Sequence, residues 1–76
     1  MKNVKVYVSN TCPYCHMIKE FMEDQGYSYE ERNISTDSSA RDELVSMNMR
    51  GVPVTVIDDD LIVGYDPQKI KAAMDN

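Results

Sequence analysis

The chain has 76 residues, which is enough for one small hydrophobic core and excludes a second domain. Hydrophobic residues make up 42% and charged residues 28% of the chain, a composition that excludes extended disorder. Because the formal net charge is −5, binding to nucleic acid or to an anionic membrane surface is disfavoured. No stretch is apolar enough to span a membrane and the first residues lack a signal-peptide core, so we expect a cytoplasmic protein. We also expect a monomer.

The first half of the chain alternates between strand and helix patterns. Valines at every second position predict a strand over residues 2–8. Pro13 suits the first position of a helix, and apolar residues at helical spacing predict that this helix covers 13–25 and ends at Gly26. A looser alternation predicts a second, more exposed strand over 27–34.

The second half of the chain predicts a helix, a hairpin and a last helix. Polar residues suited to capping precede an apolar pattern that predicts a helix over 38–48. Two β-branched runs over 53–57 and 61–63 flank three aspartates, which predicts a β-hairpin with a solvated acidic turn. The Asp66-Pro67 pair predicts the cap and first residue of the last helix. The order βαβαββα predicts an α/β fold, a four-stranded mixed sheet flanked on both faces by three helices.

The only two cysteines, Cys12 and Cys15, lie three residues apart at the start of the first predicted helix. Two cysteines are too few for a secreted disulfide scaffold, and a close pair in a reducing compartment is more often reactive or metal-binding. Cys12 is expected at the cap, where unpaired N–H groups and the positive end of the helix dipole favour a thiolate, so we predict that it attacks disulfides. Cys15, one turn further in, is predicted to resolve the mixed disulfide.

Two other interpretations of the cysteine pair remain, an inert buried pair and part of a zinc site. A mononuclear structural zinc needs four ligands, and His16, next to Cys15, cannot complete such a set. His16 points about 100° away from Cys15 around the helix, so we expect an exposed residue rather than a catalytic base. We therefore predict a redox pair and no metal site.

The Cys-Pro-Tyr-Cys motif follows a strand, Lys19 lies four residues after Cys15, and the Val52-Pro53 pair precedes a hairpin. In these features residues 4–74 resemble a glutaredoxin. The resemblance implies a single thioredoxin-fold domain over 1–76, a thiol–disulfide oxidoreductase and a cis peptide bond at Val52-Pro53. It also implies that the Val52 backbone pairs with the bound substrate, that disulfide-containing proteins are the substrates, and that glutathione is a co-substrate with no tightly bound cofactor.

The resemblance also implies a set of substrate-binding residues around the thiols. Tyr14 is expected to line the substrate groove, and Arg50 is expected to bind a glutathione carboxylate. Lys19 is expected either to add positive potential near Cys12 or to be a solvated charge on an exposed helix face. The turn opening the last helix contributes Gly64, Tyr65 and Asp66, of which Asp66 either caps the helix, binds the glutathione amino group, or does both.

Two departures from the glutaredoxin pattern keep alternatives open. Ser9 stands where the family often has lysine, and the turn over 63–67 keeps only one glycine and one aspartate. That turn also resembles NrdH-type redoxins, which take electrons from thioredoxin reductase and pass them to ribonucleotide reductase. An alternative of another class is a [2Fe–2S] dimer in which each chain contributes Cys12.

Away from the thiols, we predict core roles for Tyr7 and for four methionines at helical spacings. The methionines are Met17, Met22, Met47 and Met74.

Overall fold

A computed structural model describes residues 3–49 and 51–75 and confirms the predicted order of helices and strands. The elements are β1 (Val4–Val8), α1 (Pro13–Asp24), β2 (Glu30–Asn33), α2 (Ser38–Ser46), β3 (Val54–Ile57), β4 (Asp60–Val63) and α3 (Pro67–Asp75). Of these helices, none is long and apolar enough to cross a membrane.

The described strands form one mixed sheet in the order β2-β1-β3-β4. β1 runs parallel to β2, which requires the crossover supplied by α1. β3 lies antiparallel to both β1 and β4, so the terminal hairpin completes the sheet. The predicted α/β thioredoxin fold is thereby confirmed.

The helices cover the two faces of this sheet unequally. On one face, Val6 of β1 packs with Ile18 of α1 and Ile70 of α3 in the larger core cluster. On the other face, Tyr7 packs with Leu44 of α2 in a smaller cluster. Each fully buried aliphatic side chain contributes on the order of 2 kcal/mol to folding, so most of the stabilisation comes from the α1 and α3 face.

The ends of several elements differ from the predictions by one to three residues. α1 ends one residue early, and Gly26, with φ +73°, turns the chain while the Tyr27 N–H donates to Met22 O at 2.9 Å. The following strand is therefore shorter than predicted, 30–33 instead of 27–34, because the first residues are used to leave the helix. α2 ends at Ser46 rather than 48, where the chain turns through Asn48 with φ 62°.

The predicted core role is wrong for Met17, which is 40% exposed. The side of α1 that faces the sheet carries Cys15, Ile18 and Met22, and Met17 lies about 100° from Ile18 around the helix. Met22 is fully buried, Met47 and Met74 are partly buried against the two clusters, and Tyr7 is buried as predicted.

Candidate active site

The two cysteines lie at the N-terminus of α1 and are joined by a disulfide, with their Cα atoms 5.3 Å apart. Cys12 is the N-cap residue, with extended backbone angles of φ −101° and ψ 109°. Pro13 is the first helical residue, where its missing N–H leaves no hydrogen bond unmade. The strand-to-helix junction therefore presents both sulfurs on one side of the first helical turn.

The two sulfurs differ in their access to solvent. Cys15 is 2% exposed and belongs to the main core cluster, whereas Cys12 is only partly buried. Cys12 is therefore the more accessible residue of the pair, and Cys15 lies deeper in the core. The two cysteines therefore differ in burial although they lie only three positions apart.

Two backbone groups contact the Cys12 sulfur, and they favour opposite protonation states. The Cys15 N–H donates to Cys12 Sγ at 3.2 Å, which stabilises a thiolate once the disulfide is reduced. The Val52 carbonyl oxygen lies 3.5 Å from Cys12 Sγ, and it can accept only from a protonated thiol. The N–H contact is shorter and is reinforced by the helix dipole, which contributes about 0.3–1 kcal/mol to a charge at a helix end. Of the two contacts, the N–H at the helix start is the one that can stabilise a thiolate on Cys12.

The loop before β3 brings Val52 and Pro53 to the disulfide. Their peptide bond is cis, as the family resemblance implied. Pro53 is buried and Val52 is partly buried, and the Gly64 N–H donates to Pro53 O at 2.9 Å. Gly64 has φ +80°, a backbone conformation that favours glycine. This hydrogen bond attaches the turn before α3 to the loop that contacts Cys12.

The two aromatic residues predicted for the site lie on the surface. Tyr14, between the two cysteines, is 58% exposed, and Tyr65, next to Gly64, is 38% exposed. Arg50, predicted to bind a glutathione carboxylate, lies outside the described residues.

Asp66 caps α3. Its Oδ1 accepts the Lys69 N–H at 3.2 Å, and its backbone carbonyl accepts the Ile70 N–H at 3.1 Å. Lys69 Nζ lies 4.0 Å from Asp66 Oδ2. The predicted capping role is confirmed, and the second oxygen of the carboxylate faces a cation at the same time.

Lys19 and His16 both line a small cavity that also borders the two sulfurs, with a volume of about 230 Å³. The Lys19 ammonium lies 3.2 Å from Glu31 Oε1 on β2, so its positive charge is shared with that carboxylate. The His16 side chain is 74% exposed, as predicted, and its Nε2 lies 3.4 Å from Glu20 Oε1. Both side chains beside the disulfide thus face a carboxylate.

Two residues that border this cavity, Asn10 and Asn33, were missed by the sequence analysis. Asn33 is the last residue of β2 and is paired with Val8 across the parallel ladder. No local pattern marks Asn33, because its proximity to Cys12 follows from the register between two strands.

The residues that the structure describes contain no group of three or more His, Cys, Asp or Glu side chains arranged to hold a metal ion. Asp58 and Asp59 form the turn between β3 and β4, Asp60 is the first residue of β4, and all three are exposed. Adjacent residues of a tight turn point in different directions, so their carboxylates do not converge.

Comparisons with known proteins agree with this geometry. The family model described as Glutaredoxin matches residues 4–62. Glutaredoxin 3 of Escherichia coli strain K12 is 37% identical over 67 residues, which are 87% of this chain and 81% of that protein. The glutaredoxin-like 8.6 kDa protein in the rubredoxin operon of Clostridium pasteurianum is 34% identical over 68 residues, 88% of this chain and 91% of the relative.

A solved structure supports the same assignment at the level of the backbone. The glutaredoxin-like protein NrdH-redoxin from Escherichia coli matches with a TM-score of 0.84 at 28% identity, over 92% of each chain. Taken with the disulfide at the start of α1, these matches show that the chain belongs to the glutaredoxin family and is a thiol–disulfide oxidoreductase.

Proposed function

We propose that the protein reduces protein disulfides and glutathione mixed disulfides, with Cys12 as the attacking thiol and Cys15 as the resolving thiol. One observation carries the proposal: a partly exposed Cys12 sulfur accepts the Cys15 N–H at the helix start, while the Cys15 sulfur is buried behind it. The same proposal includes a cytoplasmic, monomeric protein without a tightly bound cofactor.

The reaction begins with the reduced dithiol. The Cys12 thiolate attacks one sulfur of the substrate disulfide, a mixed disulfide forms, and the other substrate sulfur leaves as a thiolate that takes a proton from water. Cys15 then gives up its proton and attacks the Cys12 sulfur, which forms the Cys12–Cys15 disulfide and releases the second substrate thiol. Two electrons pass to the substrate, and two molecules of glutathione return them by reducing the protein.

Substrate binding is assigned to the groups around the Cys12 sulfur. The Val52 backbone pairs with the extended substrate, Pro53 and Gly64 hold that backbone in place, and Tyr14 and Tyr65 flank the groove. The support is that the Val52 carbonyl lies 3.5 Å from Cys12 Sγ and that Gly64 is hydrogen-bonded to Pro53. In the same proposal Arg50 binds a glutathione carboxylate, Asp66 binds its amino group, and Lys19 raises the potential at Cys12.

Single substitutions of the two cysteines test the assignment. We expect Cys12→Ser to abolish reduction of a disulfide substrate, because the attacking sulfur is gone. Cys15→Ser is expected to accumulate a mixed disulfide on Cys12 and to keep activity toward glutathionylated substrates, where glutathione itself can resolve the adduct. Mass spectrometry after reaction with a glutathionylated protein measures the adduct, and unfolding curves check that both variants fold. Equal loss in both variants with no adduct contradicts the roles proposed here.

A second candidate function is an NrdH-type electron donor to ribonucleotide reductase that is recharged by thioredoxin reductase. It is favoured by the charges near the disulfide: Lys19 is paired with Glu31, and Ser9 replaces the lysine often present in glutaredoxins. Fewer uncommitted cations leave less attraction for the two carboxylates of glutathione.

The reductant separates these two functions. Oxidised protein is incubated with NADPH and either glutathione plus glutathione reductase or thioredoxin reductase alone, and NADPH consumption is followed. Turnover mainly with the glutathione system is expected for the leading proposal, and turnover with thioredoxin reductase alone favours the NrdH-type function. The Cys12→Ser variant, which cannot form the intramolecular disulfide, is the matched blank for both arms.

A further inference from the structure

Three polar residues close a ring of hydrogen bonds between the loop before Cys12 and the turn after β2. The Asn10 N–H donates to Ser35 Oγ at 3.1 Å, and the Ser35 N–H donates to Asn33 Oδ1 at 2.8 Å. Asn33 Nδ2 donates to Asn10 Oδ1 at 2.9 Å, which completes the ring. Each hydrogen bond therefore joins two of the same three residues.

The ring connects a segment outside the regular structure to a fixed point of the sheet. Residues 9–11 lie between β1 and Cys12, the N-cap of α1, and belong to neither the strand nor the helix. Asn33 lies within β2, in register with Val8 of β1. Asn10 and Asn33 also line the cavity that Cys12 and Cys15 line. The loop that carries Cys12 is thus attached to the sheet two residues before the cysteine.

We infer that Asn10, Asn33 and Ser35 are positioning residues that hold the Cys12 backbone so that its sulfur stays within reach of the Cys15 N–H. This inference rests on the proposed role of Cys12 as the attacking thiol. When the ring is broken, the loop gains freedom and the 3.2 Å contact between Cys15 N and Cys12 Sγ lengthens on average. The thiolate then loses part of its stabilisation, and Cys12 ionises at higher pH.

The ring acts through geometry because none of its three residues is charged. The charged or titratable groups that border the cavity beside the two cysteines are His16 and Lys19. Glu20 and Glu31 face these two side chains from α1 and β2. Substitutions within the ring leave all four of these groups in place, so a change in the ionisation of Cys12 reports on the position of the loop.

Serine substitutions give the sharpest test, because Ser35 and Ser46 are both exposed and each hydroxyl makes one hydrogen bond. Ser35→Ala opens the ring, Ser35→Thr keeps the hydroxyl, and Ser46→Ala removes a hydrogen bond to Glu43 O on α2 instead. The rate at which iodoacetamide alkylates Cys12 in the reduced protein is measured across a pH series by mass spectrometry. Thermal unfolding is recorded for the same proteins.

We expect Ser35→Ala to move the midpoint of the curve of alkylation rate against pH upward. Below the wild-type midpoint, we expect it to slow alkylation of Cys12 about threefold, consistent with partial loss of a helix-end interaction. Asn33→Ala is expected to shift the midpoint by the same amount. The double variant Ser35→Ala/Asn33→Ala is expected to shift it no further than either single variant, because the ring acts as a unit. Ser35→Thr and Ser46→Ala should retain the wild-type profile.

Unchanged alkylation profiles in Ser35→Ala and Asn33→Ala overturn the inference, and a lower melting temperature alone would then show that the ring only stabilises the fold. A shift of equal size in Ser46→Ala also overturns it. A wild-type Cys12 that titrates as an ordinary free thiol overturns the proposed function first, and with it the stabilisation that the ring is inferred to preserve.

Discussion

At the scale of single residues, Thr55 is the least favourable polar group in the core. It is fully buried in β3, and its hydroxyl has no hydrogen-bond partner among the described residues. In the sheet register it faces Val6 on one neighbouring strand and Ile62 on the other, both of them apolar. A buried hydroxyl without a partner loses its hydration and receives no protein hydrogen bond in return.

Thr55→Val is therefore expected to stabilise the protein by about 1 kcal/mol, because valine has nearly the same shape and no polar group to desolvate. Urea unfolding monitored by circular dichroism measures the free energy of unfolding. Thr36→Val, at an exposed position, is the matched control and should change that free energy by less than about 0.5 kcal/mol. A loss of stability in Thr55→Val would mean that the hydroxyl has a partner in solution.

Single residues also show how far the sequence predicts the candidate site. Cys12 and Cys15 could be placed at the start of a helix because their spacing and Pro13 are local signals. Asn33 could not be placed near Cys12, since the two are 21 positions apart and meet only through the pairing of β1 with β2. Met17 was misplaced because several positions on a short helix share an approximate spacing, and only packing decides which of them face the sheet.

At the scale of elements, α2 is connected to the sheet by a polar network. The buried Tyr7 hydroxyl donates to Glu43 Oε1 at 2.8 Å, and Arg32 of β2 lies 2.8 Å from Glu43 Oε2. Burial, together with the hydrogen bond to Glu43, raises the pKa of Tyr7 to about 12. The Tyr7 hydrogen bond and the Arg32 guanidinium lower the pKa of Glu43 against the opposing effect of burial. The network thus links β1, β2 and α2 through one carboxylate.

Tyr7→Phe is expected to lower the free energy of unfolding by about 1 kcal/mol at neutral pH, because a buried hydrogen bond is lost and Glu43 keeps one partner fewer. The pKa of Tyr7 is raised in the folded state from its ordinary value of 10.0, so its contribution is complete below pH 10 and is lost as pH rises toward about 12. The difference in free energy of unfolding between the wild type and Tyr7→Phe should therefore decrease as pH rises from 10 toward about 12. Unfolding curves at several pH values measure it.

Tyr27→Phe is the control for this prediction. Tyr27 packs against the main core cluster and against the Phe21 ring, and no hydrogen bond of its hydroxyl is seen within the described part of the chain. Its substitution removes a tyrosine hydroxyl without removing a hydrogen-bond partner of Glu43, so a narrowing found only in Tyr7→Phe reports on the contact with Glu43. If the difference in free energy of unfolding between the wild type and Tyr7→Phe stayed constant from neutral to alkaline pH, the coupling between Tyr7 and Glu43 would be contradicted.

The order of the helices and strands could be predicted from the sequence, but the residues at which they begin and end were harder to predict. Alternating valines, Pro13 and the Asp66-Pro67 pair are strong local signals, and each lies at the element that it predicted. The start of β2 depends instead on how the chain leaves α1 through Gly26, and the end of α2 on the turn at Asn48. Such turns are decided by tertiary contacts that no window of the sequence contains.

At the scale of the whole molecule, charge is the property that most affects small substrates. The net charge is −5, and Lys19, the lysine that lines the cavity beside the disulfide, is paired with Glu31. Glutathione disulfide carries more carboxylates than amines at neutral pH, so the protein repels it at long range. Salt screens such repulsion, with a screening length that falls from about 30 Å at 0.01 M to about 10 Å at 0.1 M.

The reduced protein is therefore expected to react about twofold faster with glutathione disulfide when ionic strength rises from about 0.01 M to about 0.1 M. The uncharged hydroxyethyl disulfide is the matched substrate, and its rate should stay constant because the field of the protein exerts no net force on it. Single-turnover rates follow from rapid quenching and mass spectrometry of the oxidised protein. A rate with glutathione disulfide that falls as salt increases would contradict the prediction, since it would mean that cations such as Lys19 dominate the field at Cys12 despite the acidic surface.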